Sequence, residues 1–370
     1  MRSGRWGLYL HIPFCRRRCD YCHFYVTKRT PEREALLFEA LHREWAIVEP
    51  ATRGKELASI YFGGGTPSLA SPQLIGNLLE RLSPPEGIEI TLEANPEDLT
   101  LERARLYRAM GINRLSLGLQ TLDTPLLQQI GRTHDAPRGV EAIWAAHEAG
   151  FDNLSIDLMF DLPNQTLEQV ERTLEQIAPL PITHVSLYNL QIEPPSPFAL
   201  EQEKTLAQMP DDETSLAMLT TCCTHLHQMG LVRYEISAFA RPGYEAVHNS
   251  GYWTGRPFLG LGPSSFSYWN RKRMRNTPNL EAYAGAIRQG RLATNFIEQL
   301  SNEKRWRELF TIGLRLVDGV DLERFTRLYG PSPVDLNPLL SEGLLTQTGT
   351  RVALTDRGRL FYDTVASELV

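Results

Sequence analysis

Three of the five cysteines fall in one short run, Cys15-Arg-Arg-Arg-Cys19-Asp-Tyr-Cys22. A CxxxCxxC loop can place three thiolates around one centre. Structural zinc normally takes four protein ligands, usually from paired knuckles, and the chain has no second CxxC. A [4Fe–4S] cluster is usually held by four cysteines, so three in one loop would leave one iron open to a small molecule. Cys222 and Cys223 are adjacent within a helical pattern and read as core or helix-surface residues. The odd cysteine count argues against a disulfide framework and for a reducing compartment.

A second set of candidates recurs at strand ends. Gly63-Gly64-Gly65-Thr66-Pro67 follows a strand pattern, and glycines let backbone amides approach a ligand closely. Glu93 ends a third strand, Gln120 follows a fourth, Asp157 ends a fifth and Gln191 ends a sixth. A polar side chain in an apolar strand is unfavourable unless paired, so four at the same topological place suggest one lined cavity; capping of neighbouring helices is the alternative for each. Arg16, Arg17 and Arg18 read as a solvated loop face or as charges that attract an anionic partner. His134, His147, His225 and His227 have no metal spacing and read as surface or structural; His11 is placed to support the cysteine loop.

Positioning these groups requires repeated βα units. Strand candidates are Leu8–Ile12, Ala58–Phe62, Ile88–Glu93, Arg114–Gly118, Leu154–Leu158, His184–Leu190 and a weaker Arg233–Ser237. Between them lie amphipathic helices. One opens at Ser71-Pro72 with Ser as N-cap, one at Thr166 with a capping box, and one runs from about Asp212 to Met229. Such alternation predicts an α/β fold with a parallel sheet, open or closed, and function at the strand C-termini. Residues 238–280 lose periodicity. Beyond Asn302 the pattern predicts helices, a hairpin at Leu344–Gln347 and Arg351–Thr355, and a closing helix from Thr355 to Leu369, together a small winged-helix-like domain.

The chain has 370 residues and a net charge of −6, which disfavours a nucleic-acid coat or membrane-surface binder. No apolar run reaches the roughly 18–20 residues a bilayer requires, and the N-terminus lacks a signal-peptide pattern, so the expected location is cytoplasmic.

CxxxCxxC after a first strand resembles the radical S-adenosylmethionine (SAM) superfamily. Leu8-Tyr-Leu-His-Ile-Pro-Phe-Cys15, Tyr61-Phe-Gly-Gly-Gly-Thr-Pro67, Gly111-Ile-Asn-Arg-Leu-Ser-Leu-Gly-Leu-Gln120 and Ser155-Ile-Asp-Leu-Met-Phe-Asp-Leu-Pro163 resemble the oxygen-independent coproporphyrinogen oxidase group over nearly the whole chain. The resemblance implies a partial (β/α)6 TIM-like barrel at 1–237, a connecting region at 238–295 and a C-terminal domain at 296–370. It implies a [4Fe–4S] cluster on Cys15, Cys19 and Cys22. It also implies SAM contacts from Tyr9, Tyr21, Gly64, Gly65, Thr66, Glu93, Gln120, Arg132, Asp157 and Gln191.

Within the group the chain looks most like the heme chaperones. The oxidases carry a further cysteine two positions after the third, where this chain has Phe24, and a longer segment ahead of the cluster motif. His248-Asn249-Ser-Gly-Tyr252-Trp253 resembles the chaperones' heme-associated HNxxYW motif: imidazole can ligate heme iron, and Tyr and Trp offer flat apolar surface. The implied function is heme binding and delivery to an acceptor protein, with SAM at the open iron and an electron donor if SAM is cleaved. The alternatives are coproporphyrinogen decarboxylation or another radical SAM reaction on tetrapyrroles. A DNA-binding role, suggested only by the winged tail, fits poorly with the acidic charge.

Overall fold

A computed structural model describes residues 4–370. Six parallel strands form its centre: β1 (Arg5–Ile12), β2 (Glu56–Gly64), β3 (Glu89–Ala94), β4 (Arg114–Gln120), β5 (Asn153–Phe160) and β6 (His184–Asn189). Side chains alternate between the two faces of a strand. Outward positions are apolar and fully buried: Leu8 and Leu10 on β1, Ile60 and Phe62 on β2, Leu115 and Leu117 on β4, Leu154 and Ile156 on β5. Helices cover them, among them α1 (Pro31–Val48), α2 (Pro72–Leu82) and α3 (Leu167–Ile177). Inward positions are polar or aromatic: Tyr9, Ser59, Tyr61, Glu89, Glu93, Arg114, Ser116, Ser155, Asp157 and His184. The lumen is therefore chemically distinct from the core.

The capping box at Thr166 forms as read, with Gln169 answering the cap. Ser71 precedes α2 but makes no side-chain cap; its amide instead donates to Glu34 at 2.7 Å.

The weak strand expected at Arg233–Ser237 forms as Val232–Glu235, and the aperiodic segment after 237 also contains strands. β7 (Val232–Glu235) and β8 (Ala238–Ala240) close one side of the sheet as antiparallel strands. β9 (Phe258–Leu261) pairs parallel to β1 on the other side, followed by antiparallel β10 (Phe266–Trp269), β11 (Lys272–Asn276) and β12 (Thr294–Gln299). The 12-stranded order is β12-β11-β10-β9-β1-β2-β3-β4-β5-β6-β8-β7. These added strands are short and carry Arg, Lys and Asn on partly exposed faces, so they lack a readable apolar alternation.

Glu44 on α1 ties this return segment down. Its buried carboxylate accepts from the Gly262 amide (2.8 Å), Asn276 Nδ2 (2.7 Å) and Tyr283 Oη (2.6 Å). Burial pushes its pKa up from 4.5 to about 7. The folded chain therefore keeps a proton that the unfolded chain has released. Stability falls as pH rises from about 4.5 to about 7 and then levels, a loss on the order of 3 kcal/mol. Glu44→Gln is expected to remove that slope. Urea unfolding across the window checks it, and equal slopes in both proteins would refute it.

A second core, around Trp306, Phe310, Phe325 and Val352, builds the C-terminal domain. It holds α5 (Asn302–Gly313) and a three-stranded sheet of Val320–Asp321, Leu345–Thr348 and Arg351–Leu354. The expected closing helix is broken at Phe361 into Asp356–Leu360 and Tyr362–Leu369. The linker after α5 pairs with the β7 side of the main sheet: Ile236 N donates to Arg315 O and Val317 N to Tyr234 O, both at 3.0 Å. The start of α5 reaches the opposite side, where Arg305 Nε donates to Tyr268 Oη (3.0 Å) and Glu308 lies 3.3 Å from Arg273. The C-terminal domain thus bridges the two ends of an open sheet.

Candidate functional site

The cysteine loop leaves β1 at Pro13. Phe14–Cys15 pairs with Thr27–Lys28, and the Gly65 and Thr66 amides donate to Ile12 O (2.9 Å) and Phe14 O (2.7 Å). The Gly-rich turn after β2 therefore braces the loop's root. A Cβ at Gly65 would lie 2.7 Å from Phe14 O, so the approach requires glycine. Cys15 Sγ lies 3.5 Å from Thr66 Oγ1. Arg132 donates to Cys19 Sγ (3.6 Å), Asn95 Oδ1 (2.8 Å) and Gly118 O (2.6 Å), and Asn95 donates to Thr66 Oγ1 (3.1 Å). One polar network thus joins two of the cysteines to the ends of three strands.

The arginine run is largely tied into this loop. Arg16 donates to buried Asp98 (Nε, 2.9 Å), Arg17 faces Asp20 at 3.5 Å, and Arg18 donates to Phe24 O at 3.0 Å.

Whether the residues fit a cluster can be tested on donor chemistry. All three thiols are free and partly exposed on one loop. Among the described residues no three His, Cys, Asp or Glu side chains converge on one ion. A cluster takes its ligands at separate iron corners, so its cysteines need not converge on one point. Burial pushes Cys15 up to about 11, so its thiolate needs a nearby cation, which iron would provide. The residues fit the cluster.

Beside the loop, Glu93 accepts from Tyr61 Oη (2.7 Å) and the Gly64 amide (3.2 Å), and burial pushes it up to about 7. Asp157 accepts from Ser116 (3.3 Å), and burial pushes it up to about 6. Gln120 is buried with φ of 67°, at a register shift in β4. A non-glycine residue is uncommon in that region. Tyr21 packs beside Leu126 and Ile130 under the loop. Tyr9 lies deeper, its hydroxyl 3.0 Å from His11 Nδ1. Gln191 stands apart: it is exposed beyond β6 and makes no hydrogen bond among the described residues.

HNxxYW lies at the other end of the lumen, on α4 (Val247–Trp253). Glu89, the first residue of β3, accepts from the Val247 and His248 amides, both at 2.8 Å. The His248 ring is 3% exposed. Its Nδ1 is hydrogen-bonded to Ser59 (2.9 Å) and its Nε2 to Tyr252 Oη (2.8 Å). Burial holds its pKa down at about 3. The imidazole is neutral with both nitrogens engaged, so it presents no free nitrogen to iron in this conformation, contrary to the ligand role suggested by the motif. Asn249 is partly exposed beside it. Trp253 carries the Arg315 guanidinium 4.4 Å above its ring.

A column of rings fills the lumen between the ends. His248 is 5.0 Å from Tyr61, and Tyr61 is 6.1 Å from Tyr9 (ring centroids). Tyr61 then bonds Glu93 at the cysteine end. Ser59, Tyr61, Glu89, Arg114 and Arg315 were not singled out from the sequence. The first four could have been found, because each occupies an inward position in the two-residue alternation of its strand.

This sheet, with three cysteines on the loop after its first strand, is the arrangement of a radical SAM protein, and the Radical SAM superfamily profile matches residues 9–177. The HemN C-terminal domain profile matches 300–361. The heme chaperone HemW of Bacillus subtilis is 33% identical over 364 residues, 95% of this chain and 96% of that protein. The zebrafish (Danio rerio) mitochondrial radical S-adenosyl methionine domain-containing protein 1 is 28% identical, covering 95% of this chain and 82% of its own. The solved coproporphyrinogen III oxidase HemN of Escherichia coli superposes with a TM-score of 0.86 at 24% identity, over 99% of this chain and 90% of that one, and so shares the fold. The chain belongs to the HemW family of radical SAM proteins.

Proposed function

We propose that this protein binds heme and passes it to an acceptor protein in the cytoplasm, with a [4Fe–4S] cluster and SAM at the cysteine end of the barrel. The observation that carries this is near-complete coverage of a relative named heme chaperone, at 33% identity, with HNxxYW folded as a distinct helix. Among the described residues no helix is long and apolar enough to cross a membrane.

In this scheme residues 1–237 carry the cluster and SAM, 238–295 the heme motif, and 296–370 the closing domain. Cys15, Cys19 and Cys22 hold the cluster, which when reduced can supply an electron to SAM. The glycine turn offers backbone amides to the methionine part of SAM. Glu93, Gln120 and Asp157 present polar atoms to the rest, and Tyr9 supports His11 beneath. Arg132 places positive charge beside Cys19. Its Nη2 donates to Asn95 and Gly118 O, while its Nε is buried without a partner among the described residues, a donor available to the carboxylate of SAM.

The test is anaerobic reconstitution with iron and sulfide, followed by SAM, heme and, separately, coproporphyrinogen III. Stoichiometric heme binding, release to an apo-acceptor and unaltered tetrapyrrole are expected. Conversion of coproporphyrinogen to protoporphyrinogen would overturn the chaperone role.

A further inference from the structure

Between α4, the β9–β10 hairpin and α5 lies a cleft of about 190 Å³. Tyr252, Trp253, Phe258 and Phe266 wall one side; Leu309 and Ile312 of α5 wall the other. It is thus built jointly by the HNxxYW helix and the C-terminal domain, away from the cysteine loop. Phe266 stands half exposed at its rim.

The charges within it are unequal. Arg273 is neutralised, paired with Glu298 and with Glu308 at 3.3 Å. Arg256 is different. Its guanidinium lies against Gly251, 3.0 Å from where a Cβ would sit, and donates to Val247 O at 3.0 Å. It forms no ion pair among the described residues. The nearby carboxylate of Glu89 is already engaged by two backbone amides. A partly buried guanidinium with no carboxylate partner favours an anion, and a planar one favours a carboxylate. Pockets that enclose a whole drug-sized ligand measure about 300–1,000 Å³, so this cleft accepts the edge of a larger flat molecule.

We infer that the cleft receives one carboxylate-bearing edge of a porphyrin, with Arg256 taking the carboxylate and Tyr252, Trp253 and Phe258 contacting the ring. The inference rests on the heme-binding function proposed above and adds the carboxylate-binding arginine and the wall that α5 contributes. Iron ligation by His248 is not part of it.

Metal-free protoporphyrin IX and its dimethyl ester separate carboxylate recognition from iron ligation. Each would be titrated by fluorescence into the full chain, the Arg256→Met variant and an Ile312→Trp variant that fills the cleft. Wild type is expected to prefer the diacid by about tenfold, the scale of one charge-assisted contact. Arg256→Met should lose that preference. Ile312→Trp should weaken both ligands by about tenfold or more, through steric exclusion. Thermal melting identifies a variant that fails to fold, and the other then decides. If wild type binds both porphyrins and the folded variants match it, the porphyrin docks elsewhere and the cleft is refuted alone. If wild type binds neither porphyrin nor heme, the heme function falls and the cleft with it.

Discussion

Cys19→Ala is expected to abolish cluster assembly while leaving the chain folded. Cys19 is the middle cysteine of the loop, and its sulfur is the one that Arg132 contacts at 3.6 Å. With it gone, two thiols remain to hold four irons, and burial shifts both Cys15 and Cys22 toward their neutral forms. No other cysteine can substitute, because Cys222 is buried in the barrel core and Cys223 lies beside it on the helix Asp212–Gln228. Iron after anaerobic reconstitution should fall from about four per chain to background, with loss of the broad visible absorption. Cys222→Ala should retain the iron. A variant lacking Cys19 that still carries a full cluster would require a different ligand set.

The second large effect concerns His248. His248→Ala removes a buried ring that contacts Tyr61 and strands the Ser59 and Tyr252 hydroxyls that it joins. A cavity plus two unsatisfied buried groups is expected to destabilise the fold by about 3–4 kcal/mol. The fraction that remains folded should show the same heme iron coordination spectrum as wild type. That pairing of outcomes separates a structural pin from an axial ligand. Loss of a histidine-ligated heme spectrum at unchanged unfolding free energy would establish His248 as the ligand.

Much of the barrel was readable because its signals are local. A strand such as Leu8–Ile12 declares itself by β-rich composition, and Thr166 declares a helix start by its own hydrogen bonds. The placement of the three cysteines on one loop after the first strand was equally readable, since it depends only on local spacing. The environment of His248 was not, because it depends on Ser59 and Glu89, which are distant in sequence and arrive through strand register. Its motif suggested a heme-iron ligand, whereas the fold buries the ring with both nitrogens hydrogen-bonded. Arg315 was invisible for the same reason. It stacks over Trp253 and reaches Glu235 (3.2 Å) only after two domains have met. β9–β12 escaped because an edge segment with mixed faces carries no periodic signal.

The main sheet begins at β12 and ends at β7, and the C-terminal domain spans the interval between them. In a fully hydrogen-bonded barrel, strand number and stagger fix the circumference. Here one arc of the ring is a helix held by a short backbone pairing at one end and side-chain contacts at the other. The ring therefore behaves as a clasped bracelet rather than a welded hoop. Its girth can change at the clasp without breaking a ladder between the six central strands. The porphyrin cleft lies at that clasp, where a ligand's entry would spread α5 from the β9–β10 hairpin.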